Sequence, residues 1–185
     1  MIALRRTLKS VLLLGALSAL SGCAVLSKPP VGNTRVPEPA KAVELNRYIG
    51  RWYEIYRYDA AFQKGCEGSM ADYSLNDDGS IRVLNTCRKR AVDGPVKTAK
   101  ARAVVKDKAT NAKLKVTFFW PFSGDYWVLD RGDDYQWAIV GEPSGRYLWV
   151  LSREALPSAE EKALYRQRVE SMGYNWALVR ETKQQ

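Results

Sequence analysis

From Arg51 onward, apolar and polar side chains change places every second residue in short runs, which is the spacing of half-buried strands rather than of helices. Rich in Val, Tyr, Trp, Phe and Thr, these runs predict eight strands. They lie near Arg51–Tyr58, Ser69–Leu75, Ser80–Cys87, Lys97–Val105, Lys113–Trp120, Asp125–Asp130, Tyr135–Val140 and Arg146–Ser152. Turn residues separate several of them. Asn76-Asp77-Asp78-Gly79 suits a tight hairpin, because Asn and Asp tolerate turn geometry and glycine supplies positive φ, and Gly132–Asp134 and Pro143–Gly145 end two more runs. Helical spacing occurs once. Ser158 can cap the amide of Glu161 while the glutamate reaches back, and the pattern runs to about Met172 before Gly173 stops it. A short ninth strand, Tyr174–Arg180, is expected to follow. The expected fold is all-β, an antiparallel barrel or sandwich with one C-terminal helix.

The alternation also says what such a sheet would enclose. Ala99, Ala101 and Ala103 share one face while Lys100 and Arg102 share the other; Leu114, Val116 and Phe118 oppose Lys113, Lys115 and Thr117. Ala71, Tyr73 and Leu75 oppose Met70, Asp72 and Ser74, and Tyr147, Trp149 and Leu151 lie together. Small and aromatic residues on one face suit a barrel with a shaped apolar cavity, since eight strands leave just enough room for a small ligand when the lining is not all bulky. They would also pack a sandwich core, and alternation alone does not choose between the two.

The start of the chain stands apart. Arg5, Arg6 and Lys9 precede an apolar run, Val11–Leu20, of about ten residues, too short for the roughly 20 of a spanning helix. Leu20-Ser21-Gly22-Cys23 closes it, and residues 1–22 are read as an export signal. The box resembles those of bacterial lipoproteins, in which the cysteine becomes the first mature residue. That resemblance implies lipid on the sulfur and amine of Cys23, a diacylglycerol thioether and a palmitate. Ala24 in place of aspartate implies sorting to the outer membrane, with a periplasmic face expected. At roughly 0.8 kcal/mol per buried CH₂, several acyl chains would hold a domain on a bilayer. Residues 23–42, with Pro29, Pro30, Pro37, Pro39 and Gly32, read as a stiff lipidated tether able to hold the domain a few nanometres from the membrane.

Residues 43–185 are then one domain, long enough for a substantial core. Without the signal, 26 of the 29 basic residues remain against 20 acidic ones, a moderate excess that fits anionic head groups or a solvated face rather than nucleic acid. The chain has no histidine, which removes His-based triads and the usual zinc ligand and argues against an enzyme. Glu54, on the face of Trp52 and Tyr56 by strict alternation, is a lone candidate acid without a positioned partner. Cys66 and Cys87 flank the Asn76–Gly79 hairpin almost symmetrically, so a disulfide is expected, with a redox pair or metal ligation as alternatives. Closing a loop of about 20 residues contributes roughly 3 kcal/mol in the chain-entropy account.

Three segments then carry a resemblance. Gly50-x-Trp52 at the first strand, Asp125-Tyr126, and Leu148-Trp149-Val150-Leu151-Ser152-Arg153 resemble the three signatures of lipocalins, over about residues 43–180. The bacterial outer-membrane lipoprotein group is most similar, through Gly50–Tyr58, Tyr73–Gly79, Leu114–Phe122 and Tyr147–Arg153. The resemblance implies an eight-stranded up-and-down barrel in which Trp52 lies across the closed end with Arg153 packed over its ring. Gly50, Trp52 and Arg153 are therefore expected to be structural. It also implies storage or transport of a small hydrophobic molecule, a fatty acid or a (lyso)phospholipid, with neither metal nor cofactor and no catalytic residue. The expected lining is Tyr56, Ala71, Tyr73, Ala101, Leu114, Val116, Phe118, Tyr147 and Trp149. Arg57, Lys64, Lys89 and Arg90, near strand ends, would meet a phosphate or form a solvated rim. A homodimer stays open, and a lipocalin-like enzyme acting on a lipid or an envelope scaffold lipoprotein are the alternatives.

Overall fold

The structure, a computed structural model, describes residues 28–185; the expected signal and the lipidation site Cys23 lie outside them. Among the described residues the chain forms α1 (Leu45–Tyr48), β1 (Gly50–Tyr58), β2 (Cys66–Leu75), β3 (Ile81–Lys89), β4 (Val96–Val105) and β5 (Lys113–Phe119). There follow β6 (Phe122–Arg131), β7 (Trp137–Gly141), β8 (Leu148–Ser152), α2 (Ala159–Ser171) and β9 (Val179–Glu181). Each of β1 to β7 pairs antiparallel with the next, and β1 also pairs with β8, which closes an eight-stranded barrel. A barrel is the outcome that alternation alone left open against a sandwich.

Boundaries differ from expectation where side chains take over backbone hydrogen bonds. Tyr135, expected to open β7, sits in a turn at φ 63°, its amide bonded to the Gly132 carbonyl. Arg146 and Tyr147, expected in β8, donate their amides to the Glu142 carboxylate at 3.0 and 3.3 Å, so pairing begins only at Leu148. β6 starts three residues earlier than expected because Trp120–Pro121 suffice to turn the hairpin. β9 is shorter and later than the expected Tyr174–Arg180, since a 3-10 turn, Trp176–Leu178, capped by the Asn175 side chain, occupies the first half.

Successive residues of one strand serve two cores. Trp52, Val128, Ala138, Val140 and Leu151 fill the lower barrel with Val43 and Tyr48, next to Ile81, Val83, Ala103 and Leu114. Their neighbours Ile55, Leu129, Trp137, Ile139 and Val150 face outward and pack under Tyr165 and Val169, four residues apart on α2. Ser158 makes the expected capping box with Glu161.

The lower end is sealed as the motif implied. Gly50 enters β1 at φ 96°, a conformation that favours glycine, and Trp52 is fully buried, its indole N–H donating to the Tyr48 carbonyl at 2.8 Å. The Arg153 guanidinium lies 3.7 Å from the centre of the Trp52 ring and donates to the carbonyls of Arg47, Tyr48, Ile49 and Arg51. α1 thereby becomes the floor of the barrel.

At the upper end β1 and β2 part. They pair only from Gly50 to Tyr53, and the C-terminal segment fills the gap above: β9 pairs with Tyr56–Tyr58, Thr182 N–H donates to the Ile55 carbonyl, and Gly68 N–H donates to the Lys183 carbonyl. Cys66 and Cys87 form a disulfide between β2 and β3 at this end. Ala40 and Val43 amides bond the carbonyls of Leu129 and Thr110, and Val36 packs on the outer core, so the part of the expected tether from Pro29 on lies along the barrel.

Candidate functional site

The barrel interior grades from sealed to accessible along its axis. On β4, Ala103 is buried while Ala101 and Ala99 are half-buried; on β5, Leu114 is buried, Val116 half-buried and Phe118 42% exposed. On β8, Leu151 is buried while Trp149 and Tyr147 are half-buried. In each case exposure grows away from Trp52. The interior is a cup, closed at the α1 end and accessible between the loops that join β1 to β2, β3 to β4, β5 to β6 and β7 to β8.

Seven of the nine expected lining residues fall on strand positions that face this interior, and Tyr147 lies in the loop just before β8. Ala71 and Tyr73 follow Trp52 around the wall through the β1–β2 register, and Ala101, Leu114 and Val116 belong to the buried cluster beside them or pack against it. Tyr147 stacks on Trp149 at 5.9 Å between centroids, with Phe62 of the rim 5.8 Å from Tyr147. Phe118 stands at the mouth.

Tyr56 is placed elsewhere. The β1–β8 register slips between Glu54 and Tyr56, so that Glu54 lies opposite Leu151 but Tyr56 opposite Val150. This bulge puts Ile55 and Tyr56 together on the outer face, where the Tyr56 ring meets Trp176 edge-on at 5.1 Å. Strict alternation across the bulge would have kept it inside.

The same bulge turns Arg57 inward and explains Glu54. Neither is free to act at the rim or as an acid. Glu54 accepts from Arg57 Nη1 at 2.5 Å, from Thr182 Oγ1 at 2.7 Å and from Gln63 Nε2 at 2.7 Å, while Arg57 Nη2 donates to the Cys66 carbonyl at 3.0 Å. Arg57 is fully buried and Glu54 nearly so. Gln63, on the 3-10 turn Ala61–Gln63 of the first loop, also accepts from the Trp149 indole N–H at 2.9 Å. One glutamine thus ties a rim loop to the buried pair and to the best-placed aromatic of the interior. Nothing in the alternation signalled Gln63, because it lies in a loop and acts through contacts distant in sequence. Of the other expected rim cations, Lys64 and Arg90 are exposed and Lys89 donates to the Lys64 carbonyl.

Deeper in the cup three tyrosines share hydrogen bonds. Tyr126 Oη lies 2.8 Å from Tyr48 Oη and 3.1 Å from Tyr73 Oη. Loss of water around these hydroxyls pushes all three above the ordinary 10.0, Tyr73 to about 12. The trio is a neutral polar spot in an apolar lining. Because the folded state keeps these protons where an unfolded chain would release them, stability is expected to fall as pH rises from about 10 toward 12, by roughly 1.4 kcal/mol per unit for each affected hydroxyl. Phenolate absorbance followed through an alkaline titration, beside denaturant midpoints at each pH, checks this; ordinary titration of every tyrosine with unchanged midpoints would contradict it.

A closed eight-stranded antiparallel barrel with an outer helix, a Gly-x-Trp first strand and an arginine over the tryptophan agrees with the comparison to known families. Residues 43–184 match the lipocalin-like domain model, and the chain belongs to that family. It is 39% identical over 158 residues to temperature-induced lipocalin-1 of Arabidopsis thaliana, covering 80% of this chain and 82% of the relative. It is 40% identical over 133 residues to the outer membrane lipoprotein Blc of Vibrio cholerae serotype O1, covering 71% and 77%. Among solved structures, insecticyanin from the tobacco hornworm Manduca sexta superposes with a TM-score of 0.66 at 17% identity, over 83% of this chain and 87% of that one, a likeness of fold.

Proposed function

We propose that this protein is a lipid-anchored lipocalin of the outer membrane, facing the periplasm, which stores or transports a fatty acid or (lyso)phospholipid in its cup without catalysing a reaction. The observation that carries this reading is the graded interior, sealed at Trp52 and accessible at Phe118, Tyr147 and Trp149. An acyl chain is a slender apolar rod that would lie against Ala101, Val116 and Trp149, removing apolar area from water on both partners. The three tyrosine hydroxyls would offer polar contacts near the floor, while the apolar positions above them would line the acyl chain. Anchoring at Cys23 after removal of residues 1–22 rests on the Leu-Ser-Gly-Cys box and agrees with similarity to a protein named as an outer membrane lipoprotein.

Titration with palmitate and with lysophosphatidylcholine, followed by tryptophan emission, is expected to saturate. In Trp149→Phe most of the ligand-dependent change in emission should disappear while binding measured by calorimetry persists. Ala101→Trp should fill the wall opposite and weaken binding of either lipid by about tenfold or more, since a bulky side chain would take the volume of several methylenes. Absence of saturable binding by any lipid to the folded protein would refute the proposal.

A further inference from the structure

The hairpin joining β5 to β6 ends in an aromatic tip that the barrel does not use. Phe119, Trp120 and Phe122 are 80, 89 and 79% exposed, with Pro121 between them and Phe118 just below. Consecutive large apolar side chains at one turn, without a core beneath them, form the kind of exposed patch that marks an interaction surface. Trp and Phe also suit the boundary between head groups and acyl chains.

Two further observations concern the same end. Exposed cations lie at the mouth: Lys64, Arg90 and Lys97 join none of the ion pairs among the described residues. Of the nearby acids, Asp59 faces Arg57 and Arg180 and Glu67 pairs with Arg180, so Asp93 and Glu142 are the acids set against these cations and the half-buried Lys89. The rim is therefore net basic, as a surface meeting anionic lipid would be. The chain itself also arrives there. Gly32 and Asn33 amides bond the Gly145 carbonyl at 2.8 and 3.2 Å, Asn175 N–H donates to the Gly32 carbonyl, and Arg146 holds the Pro29 carbonyl. Gly145 lies in the β7–β8 loop at the open end, at φ 63°, where a Cβ would stand 1.9 Å from the Asn33 carbonyl oxygen. Cys23 is six residues before Pro29, a reach of roughly 20 Å when fully extended.

From these placements we infer that the open end of the cup docks on a phospholipid bilayer, with Phe119, Trp120 and Phe122 seated at the interface beside the anchor. The inference deepens the proposed function and rests on its reading of Cys23 as lipid-bearing. A short anchor and an aromatic tip on the same end would hold the mouth against the bilayer, so that an acyl chain passes between membrane and cup without crossing water. A long free tether would have left the orientation of the mouth unconstrained.

The mature protein, purified from membranes and reconstituted into phosphatidylethanolamine and phosphatidylglycerol vesicles with brominated acyl chains, tests this through bromine quenching of tryptophan. Trp149→Phe serves as background, so that a brominated lipid inside the cup is not read through that indole. The docking inference expects quenching in this background that drops when Trp120→Phe is added. Equal quenching with and without Trp120 would overturn it. Equal quenching together with a dimer in detergent that Phe119→Ser/Trp120→Ser/Phe122→Ser dissolves would overturn it in favour of a second copy covering the tip. The mass of the N-terminal peptide reports separately whether Cys23 carries acyl chains. If it carries none, the anchoring reading fails by itself, and flotation of the chain with the same vesicles, weakened by the triple serine variant, would still uphold the tip as a bilayer contact; flotation unaffected by that variant would overturn it.

Discussion

Arg57→Ala is expected to destabilise the barrel by about 3–5 kcal/mol, the range for removing one partner of a buried ion pair. The guanidinium is fully buried and divides its donors, Nη1 to Glu54 and Thr182 and Nη2 to the Cys66 carbonyl. Its loss would leave Glu54 ionised in the barrel wall with only Thr182 and Gln63 as donors, and the Cys66 carbonyl without that bond. Lysine should not rescue it, since one ammonium cannot reproduce two arms that point to different partners. Glu54→Leu/Arg57→Met should recover much of the loss, because it removes both charges together. Chemical denaturation of the four proteins provides the cycle. A cost for Arg57→Ala below about 1 kcal/mol, the range of an exposed pair, would show that water reaches this site. The C-terminal segment is expected to loosen in Arg57→Ala, because Thr182 and Gln184 hold it to Glu54 and Ser69 in the gap between β1 and β2. Faster amide exchange at Gly68 and Thr182 would report that loosening.

Trp52→Ala is expected to cost a similar 3–5 kcal/mol, the range for truncating a large buried aromatic. The indole closes the floor, packs 5.2 Å from the Tyr48 ring and gives Arg153 its resting face. Arg153→Ala should cost less, losing roughly 0.5–2 kcal/mol of cation–π attraction and hydrogen bonds to carbonyls that water can partly replace. Because the two side chains touch, the double variant should lose less than the sum of the singles. Thermal or denaturant unfolding checks the order, and Arg153→Ala costing more than Trp52→Ala would reverse the roles assigned here. Lipid affinity per folded molecule should change little in either, since Trp149 and Phe118 stand at the other end of the cup.

The residues that proved legible and those that did not differ in how far their information travels. Ala99, Ala101 and Ala103, or Leu114, Val116 and Phe118, could be assigned to one face from period two alone, because an uninterrupted strand carries that face forward residue by residue. Tyr56 could not, because the bulge after Glu54 is expressed only in pairing with β8, about 95 residues later in the chain. The Asn76–Gly79 hairpin was readable from local turn chemistry, and it brought Cys66 and Cys87 close enough to pair. Tyr126 was visible only as part of a motif; its bonds to Tyr48 and Tyr73 join three separate elements.

By itself, the sequence determined the strands, the long helix α2, the capped start of that helix and the family signature at Trp52 and Arg153. All of these follow from periodicity, turn residues or a short motif, which are local in the chain. Tertiary structure decided that the sheet closes as a barrel, that Glu54 and Arg57 are a structural pair, and that the last residues fill the gap between β1 and β2. It also decided that the proline-rich segment from Pro29 on lies along the barrel and reaches its open end, the end that carries Phe119, Trp120 and Phe122. Each of these depends on which distant backbone groups and side chains meet, and the free energy of a buried charge or an exposed aromatic is set by those neighbours rather than by the residue's own type.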